Sequence, residues 1–258
     1  MMRRVSPRVG GLCLMFFAMV AAVEASVSLS GTRLIFDGRY PEATLQVTNR
    51  GAGEVLIQTR LSDPRDDDDT PFDQRQALPF AVTPHLQRLA PGSRQTLRIF
   101  YQGEGMPNGR ESLLHLYVTQ VPRRTHGEAQ LNIAIRQRIN VFFRPTGLEG
   151  DPASTAEALR WSLSRSAPDA PILRVVNPTP YHVALQELYL DGVRVSESHL
   201  LEPGARYHWP LSIANPAPGL RFKALTDYGG QRDYCARLDA TAESKARLRE
   251  SSHSQESC

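Results

Sequence analysis

Cysteine, unbalanced charge and long apolar runs are all scarce in this sequence, and each shortage removes a class of protein. Three cysteines in 258 residues rule out a disulfide-dense scaffold and a four-thiolate zinc centre. Lysine and arginine number 30 against 27 aspartates and glutamates, without the clustered positive face that phosphate backbones require, so no nucleic-acid partner is expected. Beyond the first 25 residues no stretch approaches eighteen apolar residues, which leaves nothing else long enough to insert stably in a membrane as a helix. The seven histidines are scattered, with no pair at ligand spacing beside a cysteine or carboxylate, and no metal is expected. Asp66-Asp67-Asp68-Asp69 lacks the ligand spacing, the turn glycine and the closing glutamate of a calcium loop and reads as a solvated loop. Gly103, Gly105 and Gly109 lack dinucleotide-loop spacing, and no G-x-S-x-G elbow occurs. No cofactor and no catalytic residue is expected.

What is present begins with Arg3, Arg4 and Arg8, an apolar run from Leu12 to Val23, and the small-residue ending Val23-Glu24-Ala25. This order predicts a signal peptide over residues 1–25, cleaved after Ala25. Its loss takes away three arginines and one glutamate, leaving 27 basic against 26 acidic side chains, so the basic balance belongs mainly to the leader. Cys235 and Cys258 then remain. In an oxidising compartment they could join, closing a loop whose cross-link would contribute roughly 3 kcal/mol. The other reading is a buried Cys235 and a free thiol on the polar tail, residues 240–258.

From Val27 to Pro145 apolar and polar residues alternate in short runs. Ala43, Leu45 and Val47 share one face of such a run, as do Val55, Ile57, Thr59 and Leu61, and Leu97, Ile99 and Tyr101. Asn49-Arg50-Gly51, Pro91-Gly92 and Pro107-Asn108-Gly109 supply the turns between them. About seven strands in about 120 residues, with no helical period between them, predict a β-sandwich over residues 26–145. A linker over 146–154 and a second, smaller sandwich over 155–239 follow, so the fold class is all-β with two immunoglobulin-like domains. Trp161, Trp209, Tyr181 and Tyr189 read as core aromatics of the second domain in preference to a sugar platform.

Several words recur in an order that resembles the periplasmic pilus chaperones of the chaperone-usher pathway. They are Gly31-Thr32-Arg33 with Phe36, Gln87-Arg88-Leu89 before Pro91-Gly92, Arg110-Glu111-Ser112-Leu113, and Arg138-Ile139 leading to Phe142-Phe143-Arg144-Pro145. Asn177-Pro178-Thr179-Pro180-Tyr181 and Asp227-Tyr228-Gly229-Gly230 complete the set, which spans nearly all of the chain beyond the leader. The resemblance implies an L or boomerang arrangement with a cleft between the domains. It also implies a periplasmic chaperone that binds incomplete immunoglobulin-like pilus subunits by donor-strand complementation and delivers them to an outer-membrane usher.

The resemblance assigns roles to particular residues. The lent strand would be Leu131 to Ile139, with Leu131, Ile133 and Ile135 filling the subunit's groove; alternation alone favours a face turned to the chain's own core, and the resemblance reverses that preference. Arg33 would grip the subunit's terminal carboxylate, a task suited to a planar guanidinium. Where the family places a lysine beside that arginine, this chain has Asn140, and Arg138 on the same face is the candidate to supply the missing charge. Glu111, Arg144 and Asp227 would form an ion-pair network fixing the two domains. The competing reading is an exported two-domain adhesin or structural pilus subunit. It is disfavoured because the first strand starts close to the cleavage site, leaving little room for an N-terminal extension.

Overall fold

A computed structural model describes residues 26–66, 70–123, 133–167, 170–213, 215–239 and 241–249. The first domain contains β1 (Val27–Leu29), β2 (Arg33–Asp37), β3 (Glu42–Asn49), β4 (Val55–Ser62), β5 (Phe80–Thr83), β6 (Leu86–Leu89), β7 (Arg94–Tyr101), β8 (Ser112–Pro122) and β9 (Ile135–Arg144). They form two sheets, ordered β1-β3-β7-β5 and β2-β9-β8-β4-β6. The alternation seen in sequence becomes the two faces of each strand: Leu45 and Val47 from β3, Ile57 from β4, Leu97 and Ile99 from β7, and Val141 and Phe143 from β9 meet in one core. Each such burial contributes roughly 1.5–3 kcal/mol.

After the linker, a short helix α1 (Thr155–Ala158) leads into β10 (Arg160–Ala167), β11 (Ala170–Val176), β12 (Val183–Leu190), β13 (Val193–Leu201), β14 (Arg206–Pro210), β15 (Gly219–Leu225) and β16 (Gln231–Arg237). The second sandwich is closed by β17 (Ser244–Lys245) and β18 (Arg247–Leu248), which join opposite sheets, ordered β14-β11-β10-β17 and β13-β12-β15-β16-β18. Trp161 is fully buried, 5.1 Å from Phe222 and stacked at 6.3 Å on Trp209, so these aromatics build the core. The sequence reading found strands over residues 159–163, 172–176, 183–190, 207–211 and 220–226 and left out β13 and β16; of Val193–Leu201 only the last residue is buried. It also set residues 240–249 apart as tail, yet β17 and β18 pair with β10 and β16 and bury Ala246 between them. Two-residue strands carry too short a period to be read from sequence. Cys235 is buried in β16 and disulfide-bonded, whereas Cys258 lies outside the described residues.

Two asparagines reveal a device common to both domains that the sequences do not align. Asn49 closes β3 and donates to the carbonyls of Gly53 and Leu89 at 2.8 and 3.0 Å. Asn177, just after β11, donates to those of Tyr181 and Glu202 at 2.7 and 3.0 Å and accepts from the Thr179 backbone and hydroxyl. Both side chains are completely buried, and each ties a strand end to two other segments of its domain. Asn177→Ala would remove both donated bonds and the acceptor of the Thr179 backbone and hydroxyl, with an expected loss of about 2 kcal/mol, read as a lower urea midpoint with unchanged slope.

Candidate functional site: a bare strand edge beside an interdomain cleft

β9 decides the geometry of the first domain. Along one edge it pairs antiparallel with β8 from Ile135 to Phe143. Along the other it pairs in parallel with β2, but only from Asn140 to Arg144, because β2 begins at Arg33 opposite Asn140. The five residues Ile135–Ile139 therefore have no strand beside them on that side among the described residues. Such an edge is a row of backbone donors and acceptors open to pairing.

The two faces of β9 differ in kind. Ile139, Val141 and Phe143 point into the core and are at most 5% exposed. By the strand's period of two, Ile135 and Ile133 lie on that same face beyond Gln137, whose side-chain amide donates to the Val27 carbonyl at 3.0 Å; Ile135 is half-buried and Ile133 is 50% exposed. Leu131 lies outside the described residues. The other face carries Arg136, Arg138, Asn140, Phe142 and Arg144, and the register with β2 places Arg33 on it beside Asn140. The Arg33 guanidinium lies 5.5 Å over the Phe142 ring, and burial lowers its pKa against the raising influence of Asp227 and Glu111.

Below Arg33 lies a cleft lined from both domains, by Arg33, Ile35 and Phe142 on one side and Tyr181, Leu225 and Tyr228 on the other. Its floor is an ion-pair network. The Arg144 Nε donates to Glu111 Oε1 at 2.7 Å, and its two terminal nitrogens donate to the two Asp227 oxygens at 2.8 and 3.1 Å. The Arg144 guanidinium also stands 5.1 Å over the Tyr181 ring. Glu111 belongs to the first domain but is tied to the second three more ways. Its backbone N–H donates to the Pro180 carbonyl at 2.8 Å, its Oε2 accepts from the His182 backbone at 2.8 Å, and the same oxygen lies 3.1 Å from His182 Nδ1. Burial alone would raise the Glu111 pKa; the His182 ring and backbone and Arg144 outweigh it and hold the carboxyl below its ordinary range. For Arg144, burial acts to lower the pKa, and the two carboxylates raise it overall.

Sequence reasoning thus named Glu111, Arg144 and Asp227, which the structure joins, and Arg33 and Asn140, which it pairs. It passed over His182, although that residue follows directly on Asn177-Pro178-Thr179-Pro180-Tyr181. Gly229 was part of a quoted word without a stated reason: its φ is +80°, and a Cβ there would stand 3.2 Å from the Thr32 hydroxyl across the domain junction. No helix among the described residues is long and apolar enough to cross a membrane, and no cluster of three metal-ligating side chains occurs among them.

Residues 26–149 match the family described as "Pili and flagellar-assembly chaperone, PapD N-terminal domain", and residues 154–236 match "Pili assembly chaperone PapD, C-terminal domain". The chain is 34% identical to the chaperone protein FimB/FhaD of Bordetella pertussis, over 87% of this chain and 93% of that protein. It is 32% identical to the probable fimbrial chaperone YadV of Escherichia coli, over 83% and 90%. Among solved structures, the Pseudomonas aeruginosa CupB2 chaperone shares 31% identity at a TM-score of 0.69, covering 82% of this chain and all of that one. The structure of Salmonella enterica SafA pilin in complex with the SafB chaperone matches at 26% identity and a TM-score of 0.68, covering 87% and 96%.

Proposed function

Since the chain belongs to the PapD-like family of pilus assembly chaperones, we propose that it completes immunoglobulin-like pilus subunits with β9 while holding their terminal carboxylate at Arg33, and hands them to an outer-membrane usher. The bare edge of β9 beside Arg33 is the observation that carries this reading. A subunit strand laid along Ile135–Ile139 would continue the line of β2 and end where β2 begins. For its C-terminal carboxylate to reach the Arg33 guanidinium, that strand must run in the direction of β9, parallel to it, as β2 does. Ile133 and Ile135, with Leu131 beyond them, would then enter the subunit's open groove as a row the chaperone's own core leaves uncovered. Asn140 offers a neutral amide next to Arg33, and Arg138 on the same face adds a full charge nearby.

The role needs no nucleotide, metal or catalytic group, because one strand is exchanged for another at the usher. Export to the periplasm by residues 1–25 and a Cys235–Cys258 bridge belong to the same proposal.

Co-purification from the periplasm tests it: the wild type should bring down a pilus subunit in a one-to-one complex. Arg33→Ala removes charge-assisted bonds of about 1.5–3 kcal/mol, so affinity should fall by roughly ten- to a hundredfold. Retention of the complex at wild-type affinity would show that Arg33 is no anchor.

A further inference from the structure

The outer face of the sheet beside the bare edge bears a cluster of cations that the network below the cleft does not use. Arg136 and Arg138 project from β9 at alternate positions, both exposed and both level with the unpaired stretch. Behind them, Arg138 stands in register with Tyr117 of β8, and Tyr117 with Arg60 of β4. The guanidiniums of Arg60 and Arg136 lie 4.8 and 5.3 Å from the centre of the one Tyr117 ring, which fixes two positive charges within a short span. One nitrogen of Arg60 is buried without a hydrogen-bond partner. Next along β8, His115 is 8% exposed and opposite Asn140; burial lowers its pKa and Arg138 lowers it further, against Asp63. Asp63, whose charge reaches His115, is itself held by Arg65 at 2.8 and 2.9 Å. No ion pair is formed by Arg138 among the described residues.

From this we infer that the strand received along β9 is acidic on one face, carrying carboxylate side chains at alternate positions near its C-terminus that meet Arg138 and Arg136. The inference rests on the strand-addition reading and extends it to the chemistry of the partner. An added strand shares the pleat of its neighbour, so residues level with Arg136 and Arg138 turn to the same side as those arginines, and their neighbours turn to the side of Ile133 and Ile135. Opposite charges directly across a strand pair stabilise it, whereas lysine or arginine at those positions would be repelled. Arg60 stands two strand spacings from Arg138, about 10 Å, too far to touch the added strand but near enough to deepen the positive field. A partner acidic on one face and apolar on the other is also held in register, because a slip of one residue would put carboxylates over the apolar row.

Three peptides test this against the full-length exported protein by fluorescence anisotropy. All alternate valine with a second residue: glutamate in the first, glutamine in the second, and glutamate again in the third, which is amidated at its C-terminus. The glutamate peptide should bind roughly tenfold tighter than the glutamine peptide. That preference should disappear in the Arg136→Gln/Arg138→Gln variant and weaken as salt is raised. Equal binding of the glutamate and glutamine peptides, with loss only on amidation, would overturn the inference and leave the carboxylate-anchored strand edge standing. Failure of all three to bind would overturn strand addition at this edge, and the inference with it.

Discussion

Arg144→Ala is expected to destabilise the protein by roughly 3–5 kcal/mol, the range found when one partner of a buried ion pair is removed. Glu111 is only 3% exposed, and without the guanidinium its carboxylate would keep the His182 contacts but lose the cation hydrogen-bonded to it. Asp227 would lose both of its bonds, at less cost because its side chain is a third exposed. The same change gives a signature in acid. The folded-state pKa of Glu111 is depressed, so its contribution is complete above the ordinary glutamate range and is lost as pH falls through the folded value. Removing Arg144 takes away part of that depression and should move the onset of acid unfolding to higher pH. Urea titrations of the two proteins at neutral pH and at successively lower pH measure both effects. A variant as stable as wild type, with the same acid limb, would mean that the network contributes nothing to the fold.

That network also shows what kind of information the sequence held. Nothing in the spacing of Glu111, Arg144 and Asp227 announces that they meet; 33 and 83 residues separate the pairs. Only the surrounding words, compared with a family, brought them together. The strands were different, because alternation is a local consequence of the pleat: Leu45 and Val47, or Leu97 and Ile99, show their shared face within a few residues. Where pairing rather than pattern makes the strand, the pattern fails. β13 buries only its last residue, Leu201, and β18 is two residues long, and both exist because a neighbour offers them hydrogen bonds. The bare edge of β9 is the extreme case. Its residues look like any other strand, and what distinguishes them is the starting point of β2, a register that no single segment encodes.

Ile133→Asp should abolish the subunit complex while leaving the free protein as stable as before. The expectation follows from where the apolar row of β9 stands relative to its own core. Ile139 is 5% exposed and packs with Val141 and Phe143, so an aspartate there would bury a charge and unfold the domain. Ile133 continues the same row but is half exposed, so an aspartate in the free protein meets water, and the change in stability should stay within about 0.5 kcal/mol. In the complex the same side chain enters an apolar groove. The roughly 1.5–3 kcal/mol of burial is lost, and a carboxylate must be desolvated without a partner, which together lower affinity by on the order of a hundredfold or more. Thermal midpoints of the two free proteins, set beside their yields of co-purified subunit, separate the two outcomes. A complex that survives Ile133→Asp would mean that the row serves only the chaperone's own sandwich. A midpoint that collapses with it would place Ile133 in the core, against the exposure seen here.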